Sequence, residues 1–511
     1  MDIGPVMKQQ QLQEYFETFG CVQELHLFPN QYTERTGYVI FENPRHAANA
    51  LKTEKLHFGN NRFLKVQPSY SWHQPDAEKM PDKPEYSKPH EKSAAIMKLN
   101  DYCLSNIFRQ LSLSDRIQLA RTCYRFRYIY EEMSPMLDKS IDFEFFAKLT
   151  AWELRDFFQL SGRNVKNIKG RIPQDHFFLV CVLIGKHCIN LQSMILENES
   201  ATLNLFKIFA NLNSLQNLEI LGCDLIDESF KAIQHLSQLK KLTLSSNSML
   251  TAKHLNYLPN SVESLTLKEC DFLQDPEFLI IIFGSLPLLK ELHIPDFIPE
   301  TPCFEQLIKD NCCESLEFLS IGCGDQMLPD FNHIARLPSL KKLHLNIFPV
   351  WALVPPILMT WLVEYKFKQL EHFELDLCAE SSITAEFLPM IGKLSALRTL
   401  GLMYCDAITD RGLEELFTLQ DLAEININLS RNVTDNGVLR LILACPKLQV
   451  LNLEYCEKLT DKLLHDIILN LQDNQKNRPL PIKLLMFGTK VNESNLLNSN
   501  VAARNIIDVI F

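Results

Sequence analysis

The 511-residue chain is predicted to be an α/β protein, a long repeat solenoid on a parallel sheet, preceded by an all-helical segment and a small, incomplete α+β segment. Three observations predict this. A stretch of alternating leucines followed by a helix-spaced apolar stretch recurs about every 25 residues from 191 to 500. Residues 99–126 carry apolar side chains at helical spacing around one short break. Residues 12–66 alternate short helix-like and strand-like stretches.

At the N-terminus, "LQEYFETFG" at 12–20, "CVQELHLF", "GYVIFENPRHAANAL" and "RFLKV" at 62–66 resemble most of an RNA-recognition motif: helix, strand, strand, helix, strand. Tyr38 and Phe41 match two aromatic positions of that family's octamer, whereas Thr36 and Arg35 depart from it. Nothing before Gln9 supplies the first strand, which the resemblance makes central and a carrier of stacking residues. Seven basic residues in 1–67 are balanced by seven acidic ones, which leaves no cationic excess for phosphates. The segment is therefore read as truncated, with RNA an unlikely partner despite Tyr38 and Phe41. Residues 68–95, with Pro68, Pro75, Pro81, Pro84 and Pro89 among Lys, Glu and Ser, read as an extended linker.

In "LNDYCLSNIFRQLSLSDRIQLARTCYRF" at 99–126, Leu104, Ile107, Phe108 and Leu111 form one helical stripe. Ser114 or Asp115 can cap a second helix, with Ile117, Ala120 and Tyr124 on one side and Leu119, Cys123 and Phe126 on another. The segment, 96–140, resembles an F-box: Leu99, Ile107-Phe108, Leu111, Leu113, Asp115, Cys123 and Phe126 fall on its pattern. Asn100, Thr122 and Phe126 stand where that family has proline, valine and tryptophan. The resemblance implies docking on a Skp-family adaptor and cullin through Leu99, Leu104, Ile107, Phe108, Leu111, Leu113, Ile117 and Leu119.

Residues 141–190 lack a clean leucine pattern and read as a capping unit or degenerate first repeat. The repeat itself is clearest in "LQVLNLEYCEKLTDKLLHDI" at 448–467. Leu448, Leu451 and Leu453 are spaced LxxLxL, and Thr460-Asp461 can cap a helix that buries Leu463, Leu464, Ile467 and Ile468. Stretches 397–416 and 422–442 repeat it. Weaker copies begin near Leu191, Leu215, Leu239, Val262, Leu289, Leu316, Leu340 and Leu370, with a last one near Ile482, making about twelve. Trp351, Trp361 and Pro355-Pro356 break the pattern and predict an insertion on one rim.

The period resembles the leucine-rich repeat in its cysteine-containing subclass, with Cys223, Cys270, Cys378, Cys405 and Cys456 at the ninth position and Asn247 there once. That resemblance implies an open inner wall lined by alternate strand side chains. They read Lys241, Thr243 and Ser245 in one repeat, then Lys342, His344 and Asn346, then His372, Glu374 and Asp376. Further on come Thr399, Gly401 and Met403, Glu424, Asn426 and Asn428, and Glu454. The mixture suits protein recognition better than a catalytic pocket. The candidate substrate-binding residues are Lys342, His344, His372, Glu374, Asp376, Met403, Asn426, Asn428 and Glu454. Together the two resemblances imply the substrate-recognition subunit of an SCF-type ubiquitin ligase, holding an unknown protein and doing no catalysis. A ligase-independent scaffold and an RNA-binding regulator are the alternatives.

Composition narrows the remaining classes. A net charge of −11 argues against a chain built to grip nucleic acid or anionic membrane. No apolar run approaches the ~20 residues of a membrane span, so an intracellular place, cytoplasm or nucleus, is expected. Fifteen cysteines without paired CxxC spacing read as free thiols. No phosphate loop, metal motif or nucleophile–base pairing is present, so neither cofactor nor metal is expected.

Overall fold

The computed structural model describes residues 9–27, 37–50, 55–57, 63–66, 95–197, 205–223, 225–250, 252–270, 277–298, 303–323, 328–347, 354, 356–376, 383–384, 386–472, 478–492 and 505–511. Residues 1–8, the octamer residues Arg35 and Thr36, nearly all of the expected linker, Trp351 and Cys378 lie outside them. The chain forms two compact units, 1–139 with 148–161 and 140–147 with 162–511.

The larger unit is a 15-stranded sheet whose strands follow one another in chain order, each parallel to its neighbours. The leucine spacing explains it. In Lys241–Ser245, Leu242 and Leu244 are fully buried while the residues between them face outward, and Leu343, Leu345, Leu451 and Leu453 repeat this. The helices that follow the strands turn their apolar stripe inward, as Leu463, Leu464 and Ile467 do on Asp461–Gln472. The twelve anticipated strands are all present. Two further rungs, Ser140–Asp142 and Asn167–Gly170, start the stack inside the expected capping unit, and Ile507–Ile510 ends it beyond 500. The insertion supplies the helix Pro356–Lys366, whose Leu358, Met359 and Leu362 are core residues.

Six of the strands end in a turn that needs a left-handed residue at the same place. Gly222, Ser246, Glu269, Tyr404, Leu429 and Tyr455 occupy it with φ between 52° and 63°. The next residue is the ninth of the unit, and its side chain turns inward. Asn247 donates to Ile220 O (3.1 Å) and accepts from Cys223 N (3.1 Å). In other rungs a thiol replaces it, as where Cys456 Sγ approaches Ile427 O at 3.4 Å. Burial pushes the Cys405 and Cys456 thiols up to about 11, so they act as turn filler rather than as nucleophiles.

The Thr-Asp pair does more than cap its own helix. Thr409 Oγ1 does accept from Gly412 N (3.2 Å) as an N-cap. Asp410, however, reaches into the next rung, where it accepts from Thr434 N (2.8 Å) and Thr434 Oγ1 (2.5 Å). Asp435 does the same to Thr460 (2.8 and 2.6 Å), and Asp461 accepts from Asn492 N at 2.7 Å. Gly437 makes room for the first of these carboxylates, since a Cβ there would meet Asp410 Oδ1 at 2.2 Å. Thr434 makes no cap bond of its own, and its hydroxyl donates to Asp410 instead.

The smaller unit contains two separate apolar cores. One gathers Leu12, Phe16, Leu25, Leu56, Leu64 and Val66 beneath two antiparallel hairpins, Val22–Leu27 with Gly37–Phe41 and Lys55–His57 with Phe63–Lys65. The described residues hold no strand between those hairpins. The other core belongs to helices Asp101–Gln110, Leu113–Ala120 and Tyr124–Leu137 with Ala151–Ser161.

The helical segment differs from expectation in two places. Ser112, rather than Ser114 or Asp115, caps the second helix, accepting from Asp115 N at 3.2 Å. That helix ends at Ala120 instead of continuing through Phe126. Thr122 Oγ1 donates back to Leu119 O (2.7 Å) and buried Arg121 pairs with Asp156, so Cys123 takes extended backbone and a third helix starts.

Removing the Asp435 carboxylate by Asp435→Ala should leave two half-buried Thr460 donors unpaired at a cost of about 1–3 kcal/mol. Native-state hydrogen exchange at the Thr460 amide should accelerate accordingly. Unchanged exchange would remove the inter-rung staple from the account.

Candidate protein-interaction faces

Parallel register converts alternate strand positions into rows across the open face of the larger sheet. One row runs Lys241, Ser264, Glu291, Phe318, Lys342, His372, Thr399, Glu424, Val450, Lys483. The next runs Thr243, Thr266, His293, Ser320, His344, Glu374, Gly401, Asn426, Asn452. Of the predicted substrate residues, Lys342, His344, His372, Glu374 and Asp376 therefore lie on two adjacent strands. Asn426, Asn428 and Glu454 lie two and three strands further along, and Met403 between.

The first group is built around Phe318. Its ring meets His293 edge-on at 4.4 Å and His372 at 6.4 Å. His344 Nδ1 and Ser320 Oγ lie 3.0 Å apart, while His344 Nε2 is buried without a hydrogen-bond partner. Burial pushes His293 and His344 below the usual imidazole range, which favours their neutral forms. His372 Nε2 stands 3.3 Å from Glu374 Oε2, and this contact holds the Glu374 carboxyl below its usual range. Gly401 lets that side chain lie across the next strand, because a Cβ there would approach Glu374 Cγ at 2.7 Å. Ser320 is 2% exposed, so the Ser320–His344 pair is a packed hydrogen bond with no route for a substrate.

The second group is an asparagine ladder. Asn426 Oδ1 accepts from Asn428 N (3.3 Å) and Asn452 Oδ1 accepts from Glu454 N (3.1 Å), fixing both side chains along the sheet. Asn428 Oδ1 is buried without a partner. Past Glu454 come two exposed aromatics, Tyr455 and Phe487, edge-to-face at 5.4 Å. Sequence reasoning missed His293, Phe318, Ser320, Tyr455 and Phe487. For the first three the signal was the outward strand position itself, read in too few rungs; Tyr455 and Phe487 lie past their strands, where that spacing says nothing.

Charges one position before each strand behave differently. The series Lys240, Glu263, Lys290, Glu317, Lys341, Glu371, Arg398 alternates in sign rung by rung. Glu263 bridges Lys240 (3.3 Å) and Lys290 (2.8 Å), Glu317 holds Lys341 (3.2 Å), and Glu371 faces Arg398 (3.8 Å). Lys240, Glu263, Lys290 and Glu317, with Lys241, Ser264, Glu291, Phe318 and Lys342, border a depression of about 240 Å³.

The helical segment presents a second face. Leu104, Phe108, Leu113 and Ile117 are buried within it; Phe108 lies between Phe126 (6.3 Å) and Tyr130 (5.9 Å) and is wholly inaccessible. Those four are thus structural here, and Ile107 and Leu119 pack partly against the same core. Leu99, 37% exposed, and half-buried Leu111 are the predicted residues left to a partner, joined by Tyr102 at 73%. Beneath them Asp138 accepts from Tyr130 (2.6 Å), Ser161 (2.7 Å) and Arg116 (2.9 Å), bonds that oppose the upward push of burial on its carboxyl.

On the N-terminal hairpin the two predicted RNA residues separate. Phe41 faces inward, meeting Phe16 at 6.3 Å, because it shares the core side of its strand with Val39. Tyr38 faces the other way, but His26 stacks on it at 5.5 Å and its hydroxyl donates to Glu24 at 2.7 Å.

Parts of the chain are similar to known proteins. The RNA recognition motif family matches residues 2–65. F-box/LRR-repeat protein 4 of Bos taurus is 28% identical over 183 residues, 35% of this chain. The match spans 24% of that relative's own length. Among solved structures, the Rad7 and Elc1 complex in yeast aligns with a TM-score of 0.46 at 15% identity, over 78% of this chain and 94% of that one. An internalin from Listeria monocytogenes aligns with a TM-score of 0.33 at 16% identity, over 80% and 97%. Among the described residues no helix is long and apolar enough to cross a membrane, and no cluster of His, Cys, Asp or Glu could hold a metal ion.

A carboxylate and a covering imidazole on Tyr38 should prevent base stacking, otherwise worth about 1–3 kcal/mol. The full chain should therefore bind labelled single-stranded RNA no more tightly than micromolar at low salt, and Tyr38→Ala should not weaken it. Sub-micromolar binding lost in Tyr38→Ala would reverse this reading.

Proposed function

We propose that the chain is the substrate-recognition subunit of an SCF-type cullin ubiquitin ligase: the helical segment docks an adaptor of the Skp family as an F-box does, and the repeats hold a protein substrate. The observation that carries this reading is the order of parts. A helical segment with outward apolar side chains at Leu99 and Tyr102 immediately precedes the repeat stack. The similarity to F-box/LRR-repeat protein 4 supports the same reading. On this reading the chain performs no chemistry itself. It raises the effective concentration of substrate lysines near a charged conjugating enzyme, in the cytoplasm or nucleus.

The burial pattern decides which substitutions test it. Phe108→Ala would open a core cavity costing about 3–5 kcal/mol, so lost capture there would report unfolding. Leu99→Asp with Leu111→Asp removes apolar contacts from the outside instead. The wild-type chain should co-purify the Skp-family adaptor and cullin, and the double variant should lose both while its thermal unfolding stays put. Absence of both partners from the wild-type capture, or undiminished capture by a folded double variant, would defeat the ligase reading.

A further inference from the structure

The open face changes character along the sheet. From His372–Asp376 to Val450–Asn452 and the residues just past them, outward positions 372, 374, 376, 399, 401, 403, 424, 426, 428, 450, 452 and 454 carry four carboxylates and neither lysine nor arginine. Lys342 and Lys483 bracket the stretch. Asp376, Glu424 and Glu454 form no ion pair among the described residues, unlike the glutamates of the alternating series at the strand starts. Charge along the leading edge is answered from within the chain; here it is left for something else.

We infer that this stretch of sheet is a docking face for an extended basic segment of a partner protein. Calling that partner a substrate rests on the ligase reading; the chemistry of the face does not. Three further observations fit such an occupant. Gly401 removes a side chain from the middle of the face and lets Glu374 lie across it, making a shallow saddle between carboxylates. Asn428 Oδ1 is an acceptor without a donor. Tyr455 and Phe487, 44% and 51% exposed, form an aromatic platform beside Glu454, and guanidinium and ammonium groups settle on such ring faces. An acidic segment would meet four like charges, and an apolar one would strand carboxylates and amides without partners.

The dimensions set the length of the occupant. Four strands at ~4.8 Å spacing span about 14 Å. A chain extended across them at ~3.3 Å per residue covers that distance in about four or five residues. Alternate side chains then point at the sheet, so a segment with arginine or lysine at every second position matches the face.

The test uses the purified full chain without adaptor, so it stands whether or not ligase partners are captured. Fluorescence anisotropy would measure binding of a labelled hexapeptide of alternating arginine and glycine, with its glutamate counterpart as the opposite charge. Because a net charge of −11 attracts any cation, the face variant Glu374→Gln, Asp376→Asn, Glu454→Gln is compared with Glu132→Gln, Glu228→Gln, Glu415→Gln, which removes equal charge elsewhere. The face variant should lose about tenfold in affinity and the control less than about threefold. Should the face triple unfold, Asp376→Asn with Glu454→Gln spares half-buried Glu374 and should show the same order. Equal losses in face and control variants, equal binding of the glutamate peptide, or no binding of the arginine peptide at low salt would each overturn the inference. Failure here with adaptor capture intact would leave the ligase reading standing, and the reverse result would leave the docking face standing.

Discussion

Everything in the larger unit depends on one constraint: a rung of some 25 residues cannot bury its own leucines, so each rung must be covered by the next in strict parallel register. The fully buried pairs Leu242 and Leu244, Leu343 and Leu345, and Leu451 and Leu453 are the consequence. A slip of one residue would turn every such pair to solvent. Register in turn produces the rows on the open face, so His344 comes to lie between Ser320 and Glu374 although 24 and 30 residues of chain separate them. The open face is thus a by-product of the core, and its composition can vary from rung to rung without disturbing the leucines.

Ladders inside the rungs reinforce that register. The ninth position accepts Asn or Cys because what either supplies is a small polar group directed at the strand carbonyls next to it, as Asn247 and Cys456 do by different atoms. The Asp410–Thr434 and Asp435–Thr460 bonds tie successive helix starts together. Both devices act between neighbours only, as expected of a nearly one-dimensional stack.

This locality explains how much was legible in the sequence. Rungs containing two leucines in alternation declared themselves, and so did the ninth-position cysteines, because each signal lies within a dozen residues. Ser140–Asp142 did not, and Asn167–Gly170 showed only as a degenerate first repeat, since each offers the pattern a single buried isoleucine, Ile141 and Ile168. Nor did the helical segment's true extent: Arg121 pairs with Asp156 and Leu160 joins Leu104 and Phe108 in one core, contacts across 35 to 56 positions that no local period encodes. A helical stripe also says that Phe108 is buried, not by what. Its own hairpin claims it, which leaves Leu99, Tyr102 and Leu111 for a partner.

The same side-chain chemistry serves two ends on one sheet, and position alone separates them. At the leading edge, lysine and glutamate alternate rung by rung, so each charge finds its opposite on the adjacent strand; exposed pairs of this kind contribute at most about 1 kcal/mol each. They therefore add little to a core already fixed by leucine, and their value lies in cancelling charge where neighbouring strands begin. Three to five residues past the strand starts, Glu374, Asp376 and Glu454 face no opposite charge of the kind that Glu263 has in Lys240 and Lys290. His372 offers Glu374 only an imidazole, and the other two have asparagine for neighbours. Thr243 and Ser245 stand on the corresponding face of an earlier rung, so the fold itself admits uncharged side chains there. The core tolerates these carboxylates without requiring them, and it is this freedom that leaves the face able to take the basic segment proposed for it.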